Sequence, residues 1–390
     1  MAILSHPGSK AHVAVIGAGV FGSWTAEHLR RAGHRVTLVD MVGPVHPKSS
    51  SGGESRLTRA TYGKDAIYSR MALNSLADWT GLGAQTGLPL FVPHGVLFFT
   101  ASPDDYFRDS LAVNHGLRLP IEELGRSEMQ QRFPMFDFAG VELGIFEPGV
   151  GSLMARRAVQ ALVGTFVEAG GGYRLAQAAA PHGDGELQSL RLTDGPDLEA
   201  DAFVFAAGPW LGKLFPDLLR ERIIPTRQEI FYFAPPAGDT RFAPAAMPGW
   251  ADFNHGDFFY GMPDLEGRGV KFAHDVHGPV VDPDTQSREA SEAALAEMIA
   301  FRDRRFPLLR GASLVGAEVC QYENSSNGDF LIDFHPDMAN VLLVGGGSGH
   351  GFKHGPEVGR HAAGRLLGTT AAEPRFSLAS KSVVRARAVH

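Results

Sequence analysis

The feature that most constrains this chain lies near its start, where HVAVIGAGVFG runs into SWTAEHLRRAG and then HRVTLVD. An apolar run, a glycine turn, an amphipathic stretch and a second apolar run make the pattern of a βαβ unit, and such units belong to parallel sheets. Gly17, Gly19 and Gly22 occupy the GxGxxG positions, Val20 and Phe21 separate the last two, and Asp40 closes the second strand. Each position has a physical task. Gly17 allows a tight turn, Gly19 lets a pyrophosphate approach backbone N–H groups, Gly22 lets the helix pack closely, and Asp40 accepts from ribose hydroxyls. The fingerprint fits the adenosine diphosphate half that NAD and FAD share and does not choose between them.

Two more units have the same form. AFVFAAG at 202–208 ends at Gly208 before a helix expected near Pro209, and VLLVGGGSGHGFK at 341–353 precedes the helix-like EVGRHAAGRLL. All three are expected in one doubly wound sheet, because that arrangement gathers the ligand loops at the carboxyl ends of the strands. Around 90–100 and 222–275, aromatic and polar residues alternate between Pro and Gly punctuation, which predicts antiparallel strands. The expected class is α/β, or α+β overall, with a nucleotide-binding domain and a β-rich substrate domain inserted twice.

Charge and composition exclude other classes. Lys and Arg number 36 against 43 Asp and Glu, a net charge of −7, so the chain has no general attraction for nucleic acid. No apolar run reaches membrane length, and the opening MAILSHPGSKAH lacks the apolar segment of an export signal. The single cysteine, Cys320, excludes an intramolecular disulfide and a thiolate metal cluster, and fits a reducing cytoplasm. His274, Asp275 and His277 are not read as a metal site, since His at i and i+3 on a strand face opposite ways. The last ten residues, KSVVRARAVH, read as a frayed basic tail.

Four segments carry a resemblance: SSGGESRLTRATYG at 50–63, VKFAHDVHGPVVDPDT at 270–285, AEVCQYENSSNGDFLID at 317–333 and GGGSGHGFKHGP at 345–356. With these in order, the chain resembles the monomeric sarcosine oxidase family, which includes N-methyltryptophan oxidase, pipecolate oxidase and the fructosyl amino acid oxidases. The resemblance implies a fold of the D-amino-acid-oxidase and sarcosine-oxidase type. It places an FAD-binding domain at 1–89, 145–218 and 321–390, and a substrate domain at 90–144 and 219–320. It implies oxidation of secondary or N-substituted α-amino acids to imines, with O2 reduced to H2O2, by a monomer whose partners are a small-molecule substrate and oxygen. The alternative is a flavin dehydrogenase with a non-oxygen acceptor. An NAD-dependent dehydrogenase and a nucleotide-binding regulatory protein are more distant rivals.

The resemblance also assigns residues. Cys320 matches the cysteine joined through sulfur to the 8α-methyl of FAD. Arg59 and Lys353 match the clamp on the substrate carboxylate, a task suited to an arginine fork and a second cation. Arg56, read as sharing a helical face with Arg59, is expected on the flavin side. Lys271 matches the lysine that activates oxygen, where a fixed charge in a dry site stabilises superoxide. Tyr260 and Tyr322 match aromatics of the substrate cavity. Ser51, Gly208, Gly346, Gly349, Gly351 and Phe352 complete the expected cofactor wall. Two positions depart from the pattern: Asp275 stands where a histidine is usual, and Gly347 where a bulkier side chain is common, which predicts a wider cavity. If Asp275 faces the cavity, it favours a substrate with a second cationic group.

Overall fold

The computed structural model describes residues 10–254 and 258–382. Its first layer is a six-stranded sheet in the order Leu331–Phe334, Val341–Gly345, Ala202–Phe205, His12–Ile16, Arg35–Asp40, Gly172–Leu175. Every pairing is parallel except that of the first two strands. The three strand-glycine units are therefore adjacent, as expected of a doubly wound sheet. Their strands read as continuous apolar runs because helices cover the sheet and leave neither side wet. Val13, Ala14 and Val15, for example, are fully buried.

The helix Val20–Arg31 follows the first strand and packs along Gly355–Leu367, the helix after the last glycine unit. Trp24 meets Trp79 edge to face at 5.2 Å, and Trp79 in turn stacks on Phe352 and donates its indole N–H to Lys353 O at 3.0 Å. One aromatic column thus fixes the turn that carries Lys353 against the first helix of the fingerprint.

The second layer is an eight-stranded sheet ordered Leu314–Ser325, Ile223–Phe233, Val270–His274, Phe259–Met262, Gly249–Asp252, Val96–Thr100, Leu143–Glu147, Glu122–Gly125. It is antiparallel except where Val96–Thr100 runs parallel to Gly249–Asp252. Its aromatic core gathers Phe136, Trp250, Phe272, Phe301 and Phe306. The expected boundaries at 145 and 321 fall inside two of its strands, because Leu143–Glu147 and Leu314–Ser325 keep their pairing to the end. A small sheet of Arg56–Thr58, Gly151–Leu153 and Phe91–Pro93 makes a third unit.

Two readings need correction. Arg56 begins a strand and Arg59 follows that strand, so the two share no helical face. The expected basic tail starts badly, since Lys381 is buried, with Nζ donating to Arg375 O at 2.7 Å. The rest of that tail, 383–390, lies outside the described residues.

Candidate active site

A cavity of about 400 Å³ opens at the carboxyl ends of the central parallel strands. Gly17 has φ +107°, and a Cβ there would lie 2.4 Å from Ala206 O. A Cβ on Gly22 would lie 1.9 Å from Gly17 O, so the turn and the helix interlock only without side chains. Gly19 differs: a Cβ there would touch nothing nearer than Ser51 Oγ at 3.5 Å, which leaves its backbone open to the cavity. Ser51 Oγ accepts from Val20 N–H at 3.1 Å and ties the helix start to the opposite wall. Asp40 accepts from Ala18 N–H at 2.8 Å and from Val42 and Gly43 N–H, an arrangement that pins the glycine turn and leaves acceptor capacity for a hydroxyl.

Val20, Phe21, Arg56, Gly208, Cys320, Tyr322, Gly349, Gly351 and Phe352 also line this cavity. Gly22, Gly346 and Lys353 stand behind the wall. Gly346 is packed between Ser325 and Asp329, where a Cβ would lie 3.1 Å from each. The acid, the helix start at Val20 and the second glycine turn ahead of the helix Gly355–Leu367 supply anion and hydroxyl sites along one elongated cavity. That donor set fits an FAD molecule, with Cys320 on the same wall.

Cys320 lies on Leu314–Ser325, paired with Gln228, and is buried. Burial lifts its thiol pKa, while the Arg56 and Lys271 charges pull the other way. Lys271 is 2% exposed, and its Nζ donates to Ser55 O at 2.8 Å. Burial, and then the Arg56 charge, bring this ammonium down to about 7. Tyr322 and Tyr260 hydrogen bond to each other. Burial, and then Asp275, raise both phenols, that of Tyr260 to about 12. Asp275 is itself buried, so it belongs to this cluster and not to a solvated outer face.

The two clamp candidates meet at a residue to which sequence reasoning gave no task. Arg59 is 4% exposed, and its guanidinium lies 4.0 Å over the ring of Tyr62. Lys353 Nζ donates to Tyr62 Oη at 2.9 Å and to His350 O at 3.1 Å. Tyr62 Oη also lies 2.8 Å from His354 Nε2. Burial, then Lys353 and Arg59, push that imidazole pKa far down, so it is neutral. Tyr62 is the tyrosine of the RLTRATYG segment, so the signal was present there. Glu147 gave no signal, being one acid among many: its carboxylate accepts from Ala60 and Thr61 N–H, each at 2.8 Å, and fixes the backbone beside Arg59. Glu323 was also missed. Its carboxyl stands beside Gly347, where a Cβ would lie 3.1 Å from Oε1, so the room expected at that glycine is taken up by Glu323.

The sequence profile of the FAD dependent oxidoreductase family matches residues 12–365. The chain belongs to that family. Similar proteins include a monomeric sarcosine oxidase of Bacillus sp. (strain B-0618), 30% identical over 89% of this chain and 90% of that one. An N-methyl-L-tryptophan oxidase of Yersinia pestis (strain Pestoides F) is 29% identical over 90% of this chain and 93% of its own length. Among solved structures, a modified fructosyl peptide oxidase from Aspergillus nidulans superposes with a TM-score of 0.84 at 19% identity, covering 97% of this chain and 95% of that one. L-proline dehydrogenase from P. horikoshii gives 0.81 at 17%, covering 95% and 97%. The resemblance read from the motifs is thus borne out, and the protein is a sarcosine oxidase-like flavoenzyme.

No helix among the described residues of this oxidoreductase is long and apolar enough to cross a membrane. The contact of Gly22 with Gly17 yields a test. Gly22→Ala drives a methyl group into a backbone carbonyl, so the purified variant is expected to retain less than a tenth of the wild-type FAD, measured as visible flavin absorbance per chain. Full retention would show that the turn yields where the geometry says it does not.

Proposed function

We propose that this flavoenzyme oxidises the C–N bond of secondary or N-substituted α-amino acids to an imine and passes the electrons to O2, making H2O2. The observation that carries the reading is the convergence of two buried cations, Arg59 and Lys353, on Tyr62. Two buried cations converging on one tyrosine suit a carboxylate ligand, which an arginine fork binds bidentately and a lysine holds as a second cation. The names of the two relatives, one of sarcosine and one of N-methyl-L-tryptophan, support an N-substituted amino acid.

FAD, when bound, supplies the acceptor for a hydride equivalent from the substrate carbon. The remaining tasks fall to the chain. Gly17, Gly19, Val20, Phe21, Ser51 and Asp40 hold the nucleotide half, with Gly22 behind them. Arg56, Gly208, Gly349, Gly351 and Phe352 border the flavin half, and Gly346 shapes their loop. Cys320 Sγ is the atom for a covalent link, since it lies on the cavity wall, where burial raises its thiol and the Arg56 and Lys271 charges offset part of that rise. Arg59 and Lys353 grip the carboxylate and so set which carbon faces the cofactor. Tyr260 and Tyr322 border the amine, and Asp275 beside them favours a substrate with a second cationic group. Lys271 stabilises the negative charge that develops on oxygen. A monomer in the reducing cytoplasm completes the reading, on the first relative's name and the lone buried thiol.

A peroxide assay across sarcosine, N-methyltryptophan, pipecolate, proline, fructosyl amino acids and carboxylate-free amines tests the substrate class. Carboxylated secondary amines should turn over best, and Arg59→Ala should lower kcat/KM for them by about 100-fold or more. Best turnover of carboxylate-free amines, indifferent to Arg59, would remove the clamp. Substrate bleaching of the flavin in air without peroxide would favour the non-oxygen acceptor. Acid-precipitated protein should remain yellow and the Cys320→Ala pellet should be colourless, whereas colour in the wild-type supernatant would exclude a covalent link. Lys271→Met should slow stopped-flow reoxidation by roughly 30- to 1000-fold, about 2 to 4 kcal/mol, with far less effect on reduction by substrate.

A further inference from the structure

Glu323 is a carboxyl group in the cofactor wall for which the proposed reaction has no use. It lies three residues beyond Cys320 on Leu314–Ser325, and both residues line the same cavity. It is 7% exposed. Oε1 accepts from Gly347 N–H at 3.0 Å. Oε2 is buried and has no hydrogen-bond partner among the described residues. Around it are three glycines: a Cβ would lie 3.1 Å from Oε1 at Gly347, and 3.4 Å and 3.6 Å from Oε2 at Gly208 and Gly345. The wall is built around an acid that it satisfies by half.

A carboxylate so placed is costly, because an ionised oxygen without a donor loses its hydration and gains nothing in return. Burial accordingly raises its pKa to about 7, the Gly347 amide drawing it part of the way back. The charged groups on the elements around it are engaged elsewhere. Lys213, on the short helix after Gly208–Trp210, bonds Asp282 and Asp284. On Ile223–Phe233, Arg227 pairs with Glu229, and Arg222 just ahead of that strand donates to Leu218 O. On its own strand, Glu318 acts on Lys271 and Cys320. In the glycine turn, His350 faces Gly328 O and Lys353 faces Tyr62. Asp40, His46, Lys48 and Arg56 share the cavity wall, and none of them enters the balance at Glu323.

We propose that Glu323 is a proton-coupled group of the cofactor site: its carboxyl takes up a proton from solvent when the bound FAD is reduced and returns it on reoxidation. The step balances. Two electrons and one proton, the hydride equivalent from the substrate, reduce the cofactor to an anion, and one solvent proton converts the Glu323 carboxylate to the acid. The added negative charge in a low-dielectric cavity favours the neutral carboxyl, so the proton follows the electrons. The inference rests on FAD occupying this cavity, and Glu323 acts on the cofactor by its charge.

The sign follows. Below the pKa of Glu323 the acid is protonated in both redox states and has no effect. Above about 7, reduction must either draw in a proton or proceed beside a carboxylate, and both lower the reduction potential. The test is the midpoint potential of the holoenzyme against pH, for wild type and Glu323→Gln. The two curves should coincide in acid and separate above neutrality, with wild type lower. Curves that stay parallel across the range would overturn the proposal. Reduced-minus-oxidised infrared spectra of the wild type, recorded above neutrality, make the test independent of the variant's folding. A protonated carboxyl band should appear on reduction and shift in D2O, and its absence would be equally fatal. A purified protein without flavin absorbance would instead overturn the cofactor reading beneath it.

Discussion

Buried positive charge is the constraint around which the site is arranged. Arg59, Lys271 and Lys353 are each at most 6% exposed, and taking a cation from water costs several kcal/mol unless polar groups replace the lost hydration. Neutral groups do much of that work. Ser55 O takes Lys271, the Tyr62 ring lies under Arg59, and Tyr62 Oη with His350 O takes Lys353. Neutral acceptors take part of each charge, and at Arg59 the carboxyls of Glu147 and Asp275 act through space as well. Glu147 accepts from two backbone amides beside Arg59 and also acts on the guanidinium through space.

The two sheets divide this labour. The parallel sheet ends in glycine turns that expose backbone N–H groups, a surface suited to phosphates and hydroxyls. The large antiparallel sheet supplies the side chains that need rigid backing: Lys271, Tyr260, Cys320 and Tyr322 all sit on its strands. Its edge strand Leu314–Ser325 reaches across to the cavity of the first layer, so boundaries at 145 and 321 cannot divide the chain cleanly there. The column of Trp24, Trp79 and Phe352 holds the Lys353 turn at the seam. Rigid aromatic packing is apt for that place, because a shift of a fraction of an ångström would move a charge relative to the cofactor.

Features with local causes were legible in the residues. The βαβ unit shows in its spacing because a tight turn after a strand needs glycine wherever the chain may not carry a Cβ, as at Gly17 and Gly22. The three strand-glycine units could be placed in one sheet on handedness and ligand-loop geometry alone. Arg56 and Arg59 were misread together because i, i+3 spacing marks one face of a helix, while here Arg56 begins a strand that Arg59 follows, and the two have different partners. Gly347 was read as empty space. A missing side chain signals a void only if no neighbour grows into it, and Glu323, distant in sequence, does so.

The sequence by itself determined the class of fold, the nucleotide fingerprint and a set of cations and aromatics in motifs, since each of these depends on residues close together in the chain. Tertiary structure alone decided what those residues face. It set Arg59 and Lys353 on one tyrosine, buried Asp275 beside Tyr260 and Tyr322, lowered Lys271 toward neutrality and left half of Glu323 without a partner. Desolvation and through-space charge produce those states, and both are properties of the atoms within a few ångströms of a group, which in this fold come from strands and turns hundreds of residues apart.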